Sequence, residues 1–157
     1  MVEPIMLTWA DYGRRVDHVA GGLSSLGVGA GDTVAIMLRN HPQALLADVA
    51  ALHLGATPFS INSACAPEQI RHVLRDAASR VVITQLAFLP PLLAVRDAAV
   101  EHVVVVDGAV AGLRTFDELE ALGAGFDARS ATNLNLLPMT RREKEAFSNH
   151  GPTRCDS

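Results

Sequence analysis

Leu26-Gly27-Val28-Gly29-Ala30-Gly31-Asp32-Thr33-Val34-Ala35-Ile36-Met37-Leu38 sets the reading of this chain. Upstream, Tyr12, Val16, Val19, Ala20, Leu23 and Leu26 recur at helical spacing and mark one face of an α-helix. Gly27 falls at the position after that helix where a left-handed residue ends it, and Val28 is the apolar residue that a Schellman cap uses. Downstream, Thr33 to Leu38 is apolar throughout, as in a strand covered on both faces. The three glycines therefore follow a helix and precede a strand. A phosphate-cradling loop has the opposite order, strand then helix, so that helix N–H groups face the anion. The spacing is also G-x-G-x-G rather than G-x-G-x-x-G, and the stretch reads as a cap and a turn.

The same alternation continues outward in both directions. Thr8, with Asp11 three residues on, predicts the N-cap of the first helix. Asn40 is expected to cap a second helix, with Pro42 in its first turn and its end near Leu54-Gly55. Thr57 to Ile61 reads as a strand. Pro67 opens a helix with Ile70, Val73, Leu74 and Ala77 on one face. Arg80 to Thr84 is a third strand, and a helix around Leu89 to Ala98 begins with Pro90-Pro91. His102 to Asp107 is a β-branched fourth strand. Thr115 with Glu118 forms a capping box for a short helix to about Leu122. The order α-β-α-β-α-β-α-β-α predicts an α/β fold with a mostly parallel sheet and helices on its faces.

Composition agrees with a packed chain. Its 157 residues are 49% hydrophobic and 19% charged, which excludes intrinsic disorder throughout. A net charge of −4 and a pI near 5.8 argue against nucleic-acid binding. Cys65 and Cys155 are far apart and suggest neither a disulfide framework nor a zinc site. Met1-Val2-Glu3-Pro4 lacks the basic start of a signal peptide, and the apolar run Ala87 to Val95 is too short for a membrane span. A soluble, cytoplasmic chain without a transmembrane segment is expected. Charge is uneven: +2 after residue 128 and −6 before it. Residues 1–128 are expected to form the folded unit and 129–157 a divergent tail, frayed or disordered, in which Thr140 and Glu143 form one more capping box.

Chemistry-bearing residues do not assemble into a recognisable constellation. His18, His41, His53, His72, His102 and His150 lack metal-ligand spacing and read as surface or packing residues. Cys65 precedes a helix start, where a thiol pKa can fall, but has no identifiable His or Asn partner and reads as small-residue filler. Asp107 ends a strand at the edge where α/β ligand sites lie, and a turn before Gly108 is its expected role. No catalytic, cofactor-binding or metal-binding residue is assigned.

Taken in order, the segments resemble the opening of the AMP-forming adenylating enzymes: acyl-CoA synthetases, luciferases and non-ribosomal adenylation domains. The resemblance is carried by Leu7-Thr8-Trp9-Ala10-Asp11-Tyr12, by Val19-Ala20-Gly21-Gly22-Leu23 with Leu26 to Ile36, and by Asn40-His41-Pro42. His53-Leu54-Gly55-Ala56-Thr57-Pro58-Phe59-Ser60-Ile61-Asn62 with Ala66-Pro67-Glu68-Gln69-Ile70 is most similar to the long-chain fatty-acid–CoA ligase branch. Arg80 to Thr84 and His102 to Asp107 resemble its next two strands. The series covers about residues 7 to 122. Ala66 departs from it, standing where Ser or Thr would cap the helix better.

The resemblance implies a two-step reaction of lipid metabolism, in which a fatty acid and ATP give acyl-AMP and pyrophosphate and CoA then displaces AMP. It implies ATP, Mg²⁺ and CoA as the family's cofactors. It also implies a Thr-Ser-Gly-Thr-Thr-Gly-x-Pro-Lys-Gly phosphate loop, an acidic and aromatic adenine/Mg²⁺ segment and a C-terminal catalytic lysine, none of which this sequence contains. The expectation is a truncated ligase, inactive by itself and binding no cofactor within this chain. An early stop or a frameshift would produce it, and a Thr-Ser-Gly-Thr-Thr-Gly motif in another frame after codon 130 would identify the frameshift. Two alternatives stand beside it: an interaction module that complements a separately encoded remainder, and an independent α/β ligand-binding domain.

Overall fold

The computed structural model describes residues 8–95 and 99–126. The expected Arg141–Asn149 helix, the tail from residue 129, Cys155 and His150 lie outside them. The elements are α1 (Trp9–Ser25), β1 (Thr33–Met37), α2 (Pro42–His53), β2 (Thr57–Ser60), α3 (Pro67–Asp76), β3 (Val81–Thr84), a 3₁₀ turn (Leu86–Phe88), α4 (Leu89–Val95), β4 (His102–Val105), β5 (Arg114–Thr115) and α5 (Phe116–Leu122). The strands form one sheet in the order β2-β1-β3-β4-β5, and every neighbouring pair is parallel. The α/β alternation is as the sequence predicts. The fifth strand is an addition: two residues give no period to read, and Arg114-Thr115 pairs with Val104-Val105 only because β4 presents an edge there.

Alternate residues of each central strand face opposite layers. Val34, Ile36, Val81, Ile83 and Val104 pack under α1, α2 and α5, while Ala35, Met37, Val82, Val103 and Val105 pack under α3 and α4. This accounts for the unbroken apolar runs, since both sheet faces are covered. At the end of α1 the Schellman bonds form: Val28 N–H donates to Leu23 O at 3.0 Å and Gly27 N–H to Ser24 O at 2.9 Å, with Gly27 at φ 85°. The next turn is held by Gly29 N–H donating to the Asp32 carboxylate at 2.8 Å. The glycine-rich stretch is thus a cap and a turn.

The start of α2 differs from expectation. His41, not Asn40, is the N-cap, and it makes no side-chain cap bond. Asn40 sits one residue earlier with φ 47°. That left-handed conformation suits Asn, and it turns the chain out of β1 before Pro42 can begin the helix. At α3 the Ala66 side chain caps nothing, but Gln69 compensates by accepting the Ala66 N–H at 3.1 Å.

Candidate functional site

In a parallel sheet the connections from one strand can leave to opposite sides, and a crevice opens at the carboxyl ends where they diverge. Here that point lies between β1 and β3, because β2 lies on one side of β1 and β3 on the other. Arg39 and Asn40 follow β1 at this edge, and Gln85 follows β3. Arg39 N–H donates to Gln85 Oε1 at 2.8 Å, so the amide of one strand end ties down the other. Beneath it, the buried Thr84 hydroxyl donates to Met37 O at 3.2 Å. The Arg39 guanidinium lies 5.6 Å from the centre of the Phe88 ring and 3.5 Å from Ser63 Oγ. At the next strand end, the Asp107 carboxylate accepts Leu86 N–H at 2.7 Å. Asp107 therefore joins β4 to the turn after β3, a longer-range role than the local turn expected of it.

This edge presents a guanidinium, an amide and backbone groups. The Asp107 carboxylate stands at the same edge, and among the described residues this edge brings together no nucleophile and base within reach of each other. Arg39 and Gln85 were not singled out from the sequence. The signal available was positional, since each immediately follows a buried strand. A cavity of about 230 Å³ lies further along the same edge beside Val105, Gly108 and Thr115. A second, of about 310 Å³, lies at the opposite, amino edge, where Glu101, His102, Arg114 and Glu118 line it. Its carboxylates already have structural partners: Arg80 grips Glu101 through two 3.0 Å bonds, and Glu118 accepts Thr115 N–H at 2.8 Å.

The perturbed ionisations are explained by packing and pairing. The Arg80 guanidinium holds the Glu101 carboxyl low, and Glu101 in turn raises Arg80. Glu120 raises Arg15, which it meets between α1 and α5 at 2.8 Å. Bonds to Thr115 lower Glu118, and the Thr8 hydroxyl lowers Asp11. Burial raises Asp48. None of these groups lies at the β1–β3 crevice.

Of the histidines in the described residues, His41 and His53 stand at the two ends of α2, His102 opens β4, and His18 and His72 lie within α1 and α3. His41 bonds Gln43, His72 Nε2 lies 3.1 Å from Asp76, and His53 lies 4.0 Å from Asp17. Cys65 packs against the α3–α4 layer. Among the described residues no three His, Cys, Asp or Glu side chains gather as a metal site.

Residues 2–141 match the AMP-binding enzyme family. The chain belongs to that family. The match runs past residue 122, where the motif resemblance stops. Over 103 residues the chain is 41% identical to an uncharacterised protein of Mycobacterium tuberculosis, covering 66% of this chain and 58% of that one. It is 35% identical over 123 residues to the long-chain-fatty-acid–CoA ligase of Thermus thermophilus, covering 76% of this chain and 22% of the ligase. Among solved structures, the anthranilate CoA ligase AuaEII in complex with anthranoyl-AMP superposes with a TM-score of 0.70 at 26% identity, over 73% of this chain and 23% of that one. The chain thus spans just over half of its mycobacterial relative and about a fifth to a quarter of the CoA ligases. Among the described residues no helix is long and apolar enough to cross a membrane.

Proposed function

We propose that this chain is the N-terminal scaffold of a long-chain fatty-acid–CoA ligase, acting in the cytoplasm in lipid metabolism, and that by itself it activates no carboxylate. The observation that carries the reading is its 35% identity to the Thermus ligase across 76% of this chain. Attack of a carboxylate on an α-phosphate gathers negative charge that Mg²⁺, loop N–H groups and cationic side chains must stabilise. The sequence lacks the family's phosphate loop, and in the described residues Arg39 is the cationic side chain that follows β1 at the carboxyl edge. The folded unit is residues 1–128, and its partner is the remainder of such an enzyme. Purified chain given ATP, Mg²⁺, palmitate and CoA should release pyrophosphate at background rate, and release above background overturns the inactivity.

The fatty-acid branch has its own test. Residues 8–126 are exchanged for the matching part of the Thermus ligase and of the anthranilate ligase. The Thermus chimera should keep activity at least about tenfold better than the other, a difference of about 1.4 kcal/mol, and the reverse order removes the fatty-acid reading. A second reading, a separately made subunit that complements a remainder, is favoured by one observation. The 103 matched residues make up 58% of the mycobacterial relative, so this segment also occurs in a protein far shorter than the ligases.

A further inference from the structure

Helix α2, Pro42-Gln43-Ala44-Leu45-Leu46-Ala47-Asp48-Val49-Ala50-Ala51-Leu52-His53, is apolar almost all round. A helix of that kind is ordinarily buried on every side. Its inner face obeys: Leu46, Ala47, Ala50 and Ala51 are buried against the sheet and α1. Its outer face does not, for Leu45 is 63% exposed and Leu52, two turns on, is 60% exposed. The apolar strip continues onto α1. Tyr12 Oη donates to Leu45 O at 3.3 Å, and its ring meets the Trp9 ring edge-on at 6.3 Å. Trp9 is 89% exposed.

From Trp9 the strip borders a more polar cavity of about 430 Å³ on the outside of α1, lined by Trp9, Gly13, Arg14, Asp17, His18 and Phe126. Phe126 is the last described residue before the chain continues. Phe126 packs at Gly21 of α1 and lines the same cavity as Trp9, so whatever follows it in a ligase leaves the unit on the outer side of α1. The matched CoA ligases carry about three-quarters or more of their length outside this unit. On the opposite layer the exposed apolar residues of α3 and α4, Val73 and Leu93, are less open than Leu45 and Leu52. Exposed contiguous apolar surface of this kind marks an interaction site.

We infer that the outer face of α1 and α2, from Trp9 through Leu45 to Leu52, is the docking surface for the remainder of an AMP-binding enzyme, entered from Phe126. The inference rests on the reading of the chain as a ligase scaffold. Its probe is the Thermus ligase produced without the part that this chain matches and checked for folding by circular dichroism. Full chain and probe should form a one-to-one complex by light scattering. The double variant Leu45→Glu/Leu52→Glu should bind at least about tenfold more weakly in calorimetry, and Leu93→Glu, on the other layer, should bind as the unaltered chain does.

The Thermus chimera repeats the test within one polypeptide, where docking does not depend on the probe folding alone. There Leu45→Glu/Leu52→Glu should lower the melting temperature and Leu93→Glu should not. Absence of a complex together with a chimera indifferent to the double variant overturns the inference, as does an equal loss with Leu93→Glu. A dimer of the chain alone that the double variant dissolves also overturns it, in favour of a second copy. Pyrophosphate release by the isolated chain, or preference for the anthranilate ligase, would sink the proposed function and leave these outcomes unchanged.

Discussion

Gly123 shows what one missing methyl group does for this fold. A Cβ there would stand 1.8 Å from His18 O and 2.5 Å from Gly22 N, both backbone atoms of α1. A Cβ on Gly22 would stand 2.1 Å from Leu119 O. The two helices can touch only because three glycines line their contact, Gly21 being the third, and backbone cannot swing aside as a side-chain tip can. Gly123→Ala should therefore cost about 3 kcal/mol, the upper end of ordinary overpacking, seen as a lower urea midpoint. Gly13 is the control. It lies in the same helix with nothing within 4 Å of its Cβ position, so Gly13→Ala should stabilise by about 0.5–1 kcal/mol. Asp48 answers to pH instead. Burial in the α2 surface raises its pKa above the ordinary 3.8, so the native state holds the proton more tightly than the unfolded chain. Stability is then full below 3.8 and falls as pH rises through the raised value. Asp48→Asn should raise the melting temperature at pH 7 and leave it unchanged at pH 3.

The elements divide into those that local signals specify and those that need the sheet. The two capping pairs named from the sequence that lie in the described residues close. Asp11 N–H reaches Thr8 Oγ1 at 3.1 Å, and Glu118 N–H reaches Thr115 Oγ1 at 3.2 Å while Thr115 N–H returns to the Glu118 carboxylate. Thr115→Ala should cost about 1 kcal/mol. The Thr115 bonds hold the Glu118 carboxyl below its ordinary 4.5. Its contribution is therefore present above 4.5 and lost as pH falls through the depressed value. Glu118→Gln should lower the melting temperature at pH 7, and the deficit should vanish in acid. The four longer strands, the Schellman end of α1 and the first residues of α3 were equally legible, because each is written in neighbouring residues. The cap of α2 was not. Asn40 has the right chemistry for an N-cap, but the chain must first turn out of β1, and Asn takes the left-handed turn while His41 takes the cap position. Nor was β5, a pair of residues recruited by an open sheet edge. The β1–β3 crevice escaped for the same reason, since Arg39 and Gln85 are 46 residues apart and meet only once strand order is known.

At the scale of the molecule, the two layers are not equivalent. One side of the sheet packs under α3 and α4, the other under α1, α2 and α5, and the apolar strip lies on the second. Tertiary bonds nevertheless tie the described residues together on their own. Arg15 and Glu120 join α1 to α5 across 105 residues, and Arg80 with Glu101 closes the connection between β3 and β4. Ser79, buried two residues before β3, donates to Thr33 O at 3.2 Å. With both sheet faces covered and these ties made within residues 8–126, the cooperative unit should not depend on residues beyond 128. A chain ending at residue 128 should unfold in urea as a single transition whose slope matches the full chain's, because that slope follows the surface exposed on unfolding. A markedly smaller slope for the shorter chain would mean that later residues add to the buried core, and the boundary at 128 would then have to move.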